Sequence, residues 1–169
     1  MNGLREKLET IKMVLFDVDG VLSDGQVYID NNGIETKSFY VRDGIGIRML
    51  VEHGIICGVI TGRSSHVVTV RMNELGMQEI HQGVKNKLKV FHDIIARRHL
   101  SADECIFVGD DVPDIEVFKE AGIAVAPGDA DCAAKKYADL VMTAPGGRGA
   151  VRELTDMIMN AHGWELFVP

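Results

Sequence analysis

Apolar residues along the chain fall into two kinds of run. Met13–Phe16 is an unbroken apolar stretch, and Ile55–Ile60, Cys105–Val108, Ile123–Ala126 and Leu140–Met142 look similar. Short continuous runs mark strands buried on both faces, since half-exposed strands alternate. Between them the period changes. Leu88, Phe91, Ile94 and Ile95 recur at helical spacing, as do Val151, Leu154, Ile158 and Ala161, so each set lines one helix face. Gly54, Gly76 and Gly122 stand where helices should stop. The alternation predicts an α/β fold: a three-layer, Rossmann-like parallel sheet with helices on both faces.

One segment departs from this rhythm. Gln26–Asp30 and Ile34–Tyr40 read as strands flanking Asn31-Asn32-Gly33. Asn and Gly tolerate positive φ, which predicts a β-hairpin over about residues 25–40. Because it follows directly on the first parallel strand, it should project from the sheet.

Composition narrows the classes. The chain has 169 residues, 46% apolar and 25% charged, which suits one domain over residues 1–169 with a substantial core. No apolar run approaches the ~20 residues that span a bilayer. The opening MNGLREKLETIK lacks the apolar stretch of a signal peptide, so a cytoplasmic location is the default expectation. A net charge of −7 argues against a nucleic-acid partner. The basic run Arg97, Arg98, His99 reads as the solvated end of a helix. Three cysteines without CxxC spacing and six scattered histidines offer neither a disulfide framework nor a paired metal motif.

The chemistry concentrates at strand ends. Asp17-Val18-Asp19-Gly20-Val21-Leu22-Ser23-Asp24 follows the first buried run, at the edge where open parallel sheets bind ligands. If the extended backbone continued, Asp17 and Asp19 would point to opposite sides. A second acidic group, Gly109-Asp110-Asp111-Val112-Pro113-Asp114, follows another strand and opens a helix. There acids are favoured as caps, a reading that fits Asp114 and Asp111 better than Asp110. Two acidic clusters at two strand ends can converge on a hard cation such as Mg²⁺. Thr61, after a third strand in Ile60-Thr61-Gly62-Arg63, offers a hydroxyl beside backbone amides, and alone would pass for an N-cap. Lys87 begins the Leu88–Ile95 helix and alone would pass for a surface lysine.

DxDGxxxD, a strand-ending Thr, a Lys and then GDDxxD, in that order, resemble the motifs of the haloacid dehalogenase superfamily. That resemblance implies a phosphatase in which Asp17 is the nucleophile and forms an aspartyl-phosphate. Asp19 would be the general acid and then base. Asp17, the Asp19 backbone carbonyl and Asp110 would hold Mg²⁺, and Thr61 and Lys87 would bind the phosphoryl oxygens. Asp111 or Asp114 would orient Lys87 or a metal-bound water.

Superfamily members usually carry an inserted cap. About thirty residues separate Asp24 from Ile55 and about twenty-five separate Thr61 from Lys87, too few for one. Longer stretches, among them Asp17–Gly25, Val41-Arg42-Asp43-Gly44 and Gly146–Glu153, are similar to a capless family, the 3-deoxy-D-manno-octulosonate 8-phosphate (KDO 8-phosphate) phosphatases. The resemblance implies release of KDO for lipopolysaccharide, a homotetramer built through the hairpins, and a site completed by a neighbouring subunit. For the substrate's carboxylate, arginines are suited: Arg42, Arg63 and Arg148 are the candidates, with Gly62 beside them. A related family acting on nine-carbon sugar acid phosphates tends to have Glu after Thr-Gly, so Arg63 favours the eight-carbon substrate. Alternatives are a phosphatase for a nine-carbon sugar acid phosphate or a broad phosphomonoesterase and, of another class, a non-catalytic oligomerisation module. The apolar tail, about residues 163–169, departs from the family's longer polar extension, and is expected to pack on a neighbour or wall the substrate entrance.

Overall fold

The computed structural model describes residues 2–164. In chain order these form α1 (Asn2–Glu9), β1 (Met13–Phe16), β2 (Tyr28–Ile29), β3 (Glu35–Thr36), α2 (Val41–Glu52), β4 (Ile56–Ile60), α3 (His66–Glu74) and β5 (Glu79–His81). The second half adds α4 (Lys87–Arg98), β6 (Cys105–Val108), α5 (Ile115–Phe118), β7 (Ile123–Ala126), α6 (Cys132–Lys135), β8 (Leu140–Val141) and α7 (Ala150–His162).

Six strands make one sheet in the order β5-β4-β1-β6-β7-β8, and every adjacent pair is parallel. β1 is central because its four apolar residues are buried on both faces. Side chains alternate across it. Val14 and Phe16 join the core under α2 and α7 with Ile47, Leu50, Leu154 and Ile158. Met13 and Leu15 join the opposite core with Phe91, Ile94 and Phe118 from α4 and α5. Burying a residue such as Phe16 or Leu15 contributes ~1.5–3 kcal/mol, so both layers are tied to this strand. Phe16 lies opposite Val59 of β4 and Val108 of β6. That register brings the residues after all three strands to the same sheet edge.

α2 and α7 are joined by a polar contact inside this frame. Asp43, on α2, is buried and its carboxylate accepts from the backbone N–H groups of Gly149 (3.3 Å) and Arg152 (2.8 Å). It thereby supplies the acceptor that the first turn of α7 lacks. Burial raises the Asp43 pKa despite these bonds.

The hairpin is shorter than its sequence suggests. β2 and β3 pair antiparallel over Tyr28↔Thr36 and Ile29↔Glu35, with Asp30 Oδ1 accepting from Asn32 N (2.9 Å) and Ile34 N (2.8 Å) across the turn. Residues 37–40 leave the ladder because they have inward partners. Lys37 is buried and Phe39 packs on the core under α2. The tip stays out: Val27, Tyr28, Ile29 and Ile34 are exposed. The hairpin therefore both projects and folds back.

Two further expectations need correction. The last strand stops at Val141, one residue early. Arg97 and Arg98 do end a helix but are not merely solvated. Both pair with the buried carboxylate of Glu79 on the edge strand β5, Arg98 Nε at 2.8 Å, and His81 joins them at 2.7 Å. Burial alone would raise the Glu79 pKa, yet these partners hold it below the ordinary value. Trp164 stacks between His53 (4.5 Å between ring centroids) and His162 (3.9 Å), beside Lys12 and Ile55. Those residues immediately precede β1 and β4, at the sheet edge away from Asp17. The rest of the expected tail lies outside the described residues.

Candidate active site

An open cleft of about 740 Å³ lies at the shared edge of β1, β4 and β6, and its lining includes Asp17, Asp19, Thr61, Arg63, Lys87 and Asp110. The chain turns sharply after Asp17, because the amides of Val21, Leu22 and Ser23 all donate to Val18 O. That turn aims the two carboxylates differently. Asp17 faces Lys87, and Asp19 faces the hairpin.

Asp17 is 8% exposed. Its Oδ1 accepts from Val18 N (2.7 Å) and its Oδ2 lies 2.9 Å from Lys87 Nζ. Lys87 is presented at the first position of α4, whose N-cap Asn86 accepts from Lys89 N at 2.8 Å. On the other side Lys87 Nζ donates to Asp114 Oδ1 at 2.7 Å. Burial disfavours the Lys87 ammonium, but Asp17 and Asp114 outweigh it and leave its pKa raised. Burial is also the main reason that the Asp17 pKa is raised, partly offset by Lys87.

The second acidic group separates into roles. Asp111 caps the turn formed by Val112–Asp114, accepting from Val112 N at 2.7 Å, and is exposed. Pro113 fits that first turn because no donor is needed there. Asp114 is fully buried. Its Oδ2 accepts from Asp110 N (3.0 Å) and Asp111 N (3.3 Å) while Oδ1 holds Lys87. The sequence left open which of the two acids reaches Lys87, and the geometry selects Asp114.

Asp110 is different. Among the described residues no hydrogen bond reaches its carboxylate. It presses against Gly20, where a Cβ would come within 2.0 Å of Asp110 Oδ2 and φ is +85°. Burial, and then the charges of Asp17 and Asp114, push its pKa up to about 8. One carboxylate oxygen from each of Asp17, Asp110 and Asp114 can be chosen so that all lie within 4.8 Å of one another. This all-oxygen cluster with excess negative charge fits a hard divalent cation. Asp114 is fully buried and already accepts three hydrogen bonds, whereas the Asp110 carboxylate accepts none among the described residues, so Asp110 is the carboxylate freest to hold the ion, with Asp17 beside it.

Thr61 is buried and is not a helix cap, a place taken by Ser65. Its N–H donates to His81 O (2.9 Å) and its carbonyl accepts from Val84 N (3.0 Å), which fixes the backbone where Thr61 and Gly62 line the cleft. Arg63 also reaches the cleft. Arg42 and Arg148 do not. Arg42 is exposed on α2, and Arg148 lines a separate pocket with Tyr40 and Asp24, its Nη2 3.7 Å from Asp24 Oδ2. The glycines around Arg148 serve packing: a Cβ on Gly146 would meet Gly20 O at 1.8 Å, so this loop backs the turn that carries Asp19.

Two site residues were not anticipated. Lys37, its side chain 1% exposed, contacts Asp19 Oδ1 directly and lies 3.2 Å from Glu35 Oε1. Glu35 Oε1 also accepts from Arg63 Nη2 at 2.8 Å, and Arg63 Nε is 3.6 Å from Asp19 Oδ2. The Arg63 hydrogen bond is the main cause of the Glu35 pKa falling to about 2. The available signal was the alternation Glu35-Thr36-Lys37, which puts both charges on one face of β3 and its extension.

Comparison with known proteins bears on this geometry. Residues 60–153 match the family model for haloacid dehalogenase-like hydrolases. The 3-deoxy-D-manno-octulosonate 8-phosphate phosphatase of Escherichia coli strain K12 is 43% identical over 157 residues, covering 93% of this chain and 84% of the relative. The crystal structure of the corresponding phosphatase from Moraxella catarrhalis, in complex with a magnesium ion, a phosphate ion and KDO, superposes with a TM-score of 0.94 at 39% identity, covering 96% of this chain and 94% of that one. The cobalt-bound form of the Haemophilus influenzae phosphatase gives 0.89 at 41%, covering 93% and 92%.

Proposed function

We infer, from the premise that this chain belongs to the haloacid dehalogenase-like hydrolases and within them to the KDO 8-phosphate phosphatases, that it is a magnesium-dependent phosphatase releasing KDO and inorganic phosphate. The product is a lipopolysaccharide building block. The observation that carries the mechanism is the placement of Asp17 at the end of the central strand, with Lys87 on one side and the Asp110 carboxylate near by.

Asp17 attacks phosphorus, the ester P–O bond breaks, and an aspartyl-phosphate forms. Asp19 donates a proton to the departing sugar oxygen and then takes one from the water that cleaves the acyl phosphate. Lys87 and Thr61 bind the phosphoryl oxygens, and Asp114 holds Lys87 in place. Mg²⁺, held by the Asp17 and Asp110 carboxylates and the Asp19 carbonyl, supplies charge neutralisation between carboxylate and phosphate. Arg63 and Gly62 stand at the cleft mouth, where Arg63 can meet the substrate carboxylate in competition with Glu35.

Within the same reading the chain is a homotetramer working in the cytoplasm. The exposed Val27, Tyr28, Ile29 and Ile34 form an apolar tip that another copy can cover, and an open cleft without a cap gains a wall from such a neighbour. No helix among the described residues is long and apolar enough to cross a membrane.

A panel of phosphate esters with Mg²⁺ tests the substrate. The eight-carbon sugar acid phosphate is expected to be hydrolysed at least ~10²-fold more efficiently than a nine-carbon analogue or simple hexose phosphates. Equal efficiencies across the panel would refute the assignment.

A further inference from the structure

We propose that Glu35 is a specificity-determining residue: it holds Arg63 in the empty cleft as an internal stand-in for the carboxylate of the sugar acid, and takes Arg63 back when the product leaves. This rests on the reading of the ligand as a carboxylated sugar phosphate that Arg63 meets. Glu35 stands on the hairpin strand β3. Its Oε1 accepts from Arg63 Nη2 at 2.8 Å, the kind of charged hydrogen bond that a ligand carboxylate makes with a guanidinium. Arg63 keeps Glu35 ionised, so the stand-in carries the charge of the group it replaces.

The surroundings make this pair exchangeable. The Arg63 side chain is 50% exposed. Among the described residues, the bond to Glu35 is the only hydrogen bond its guanidinium makes. Arg63 Nε lies 3.6 Å from Asp19 Oδ2, beyond hydrogen-bond range. Glu35 also has a second cation. Lys37 Nζ is 3.2 Å from the same Oε1, and the Lys37 side chain is buried and held on its other side by Asp19. When Arg63 turns to a ligand, Glu35 stays paired with Lys37, so no charge is stranded. Substrate and product share the carboxylate but not the phosphate. The substrate is held through its phosphoryl oxygens as well, whereas the free sugar acid has lost that anchor. Competition from Glu35 therefore bears on a larger share of what retains the product. The hairpin strand β3 thus reaches into the subunit's own site, besides offering an exposed tip.

Product inhibition tests this. Hydrolysis of 4-nitrophenyl phosphate with Mg²⁺ is the assay, and KDO and its methyl ester are the inhibitors. The methyl ester has the same polyol without the charge. Inhibition constants do not depend on the fraction of enzyme that is folded. Glu35→Gln keeps the shape of the side chain and removes its charge. In this variant KDO should bind more tightly, and the ratio of inhibition constants, methyl ester over acid, should rise at least about twofold above the parent's, within the roughly fivefold reach of an exposed ion pair. A merely structural role would weaken both inhibitors. A smaller rise, or a fall, would overturn the proposal. So would a rise that survives in the double variant Glu35→Gln/Arg63→Met, because it would come from charge acting at a distance rather than through Arg63. If KDO did not inhibit the parent at all, the sugar-acid reading would fail and the proposal with it. Inhibition with an unchanged ratio would remove the role of Glu35 and leave that reading standing.

Discussion

Lys87 Nζ and Asp114 Oδ1 form a 2.7 Å hydrogen bond between two buried, oppositely charged side chains. It ties the start of α4 to the turn after β6 and leaves the ammonium 2.9 Å from Asp17. Removing Asp114 leaves Lys87 with Asp17 as its remaining partner and takes the acceptor from the amides of Asp110 and Asp111, which costs ~1–3 kcal/mol. Asp114→Ala is therefore expected to lose about that much stability in urea unfolding, and phosphatase activity with it. Asp111→Ala removes only an exposed cap and is expected to cost about 1 kcal/mol, with kcat within roughly threefold of the parent.

The carboxylates proposed to hold Mg²⁺ give a pH signature. Burial and the charges of Asp17 and Asp114 push the Asp110 pKa up to about 8, from 3.8 ordinarily, and burial moves Asp17 the same way. Between those values the folded chain holds protons that the unfolded chain has released. Metal-free stability therefore falls as pH rises through that window. Mg²⁺ replaces the protons, so the rise in Tm on adding Mg²⁺ should be larger at about pH 8 than at about pH 5.5. A Tm rise independent of pH would contradict this account of the carboxylate cluster.

Gly20 is a steric requirement of the same cluster. A methyl there would sit 2.0 Å from Asp110 Oδ2 on a backbone at φ +85°. Gly20→Ala is expected to raise the Mg²⁺ concentration for half-maximal activity by at least about tenfold, which corresponds to ~1.4 kcal/mol of lost affinity. A magnesium activation curve measures it.

The segment Val41–Gly44 is expected to serve the scaffold. Asp43→Ala removes the acceptor for two amides of α7 and should cost ~1–3 kcal/mol, lowering Tm with little change in KM. Arg42→Ala should leave both Tm and KM near the parent values, given its exposure outside the cleft.

Much of this was legible in the sequence for a physical reason. Strands buried on both faces must be apolar at every position, so Met13–Phe16, Cys105–Val108 and Ile123–Ala126 announce themselves, and residues following them fall at the ligand-binding edge. Asp17, Thr61 and Asp110 were found this way. The roles settled by packing were not. Asp111 and Asp114 look alike until the turn at Val112–Asp114 buries one and exposes the other. Lys37 and Glu35 lie in a segment read as plain hairpin, and their contacts with Asp19 and Arg63 join distant parts of the chain. Arg42 and Arg148 shared a residue type with Arg63 but not a location. Glycines near Arg148 suggested ligand approach, whereas Gly146 makes room for the backbone at Gly20.

The most direct test of the central claim is phosphate release from KDO 8-phosphate, with Mg²⁺, by the parent and by Asp17→Asn. The variant should be confirmed as folded by its thermal melt. If Asp17 is the nucleophile, the parent turns over, the variant loses at least ~10³-fold in kcat, and chelation silences the parent. A folded Asp17→Asn variant with kcat within tenfold of the parent would contradict the mechanism.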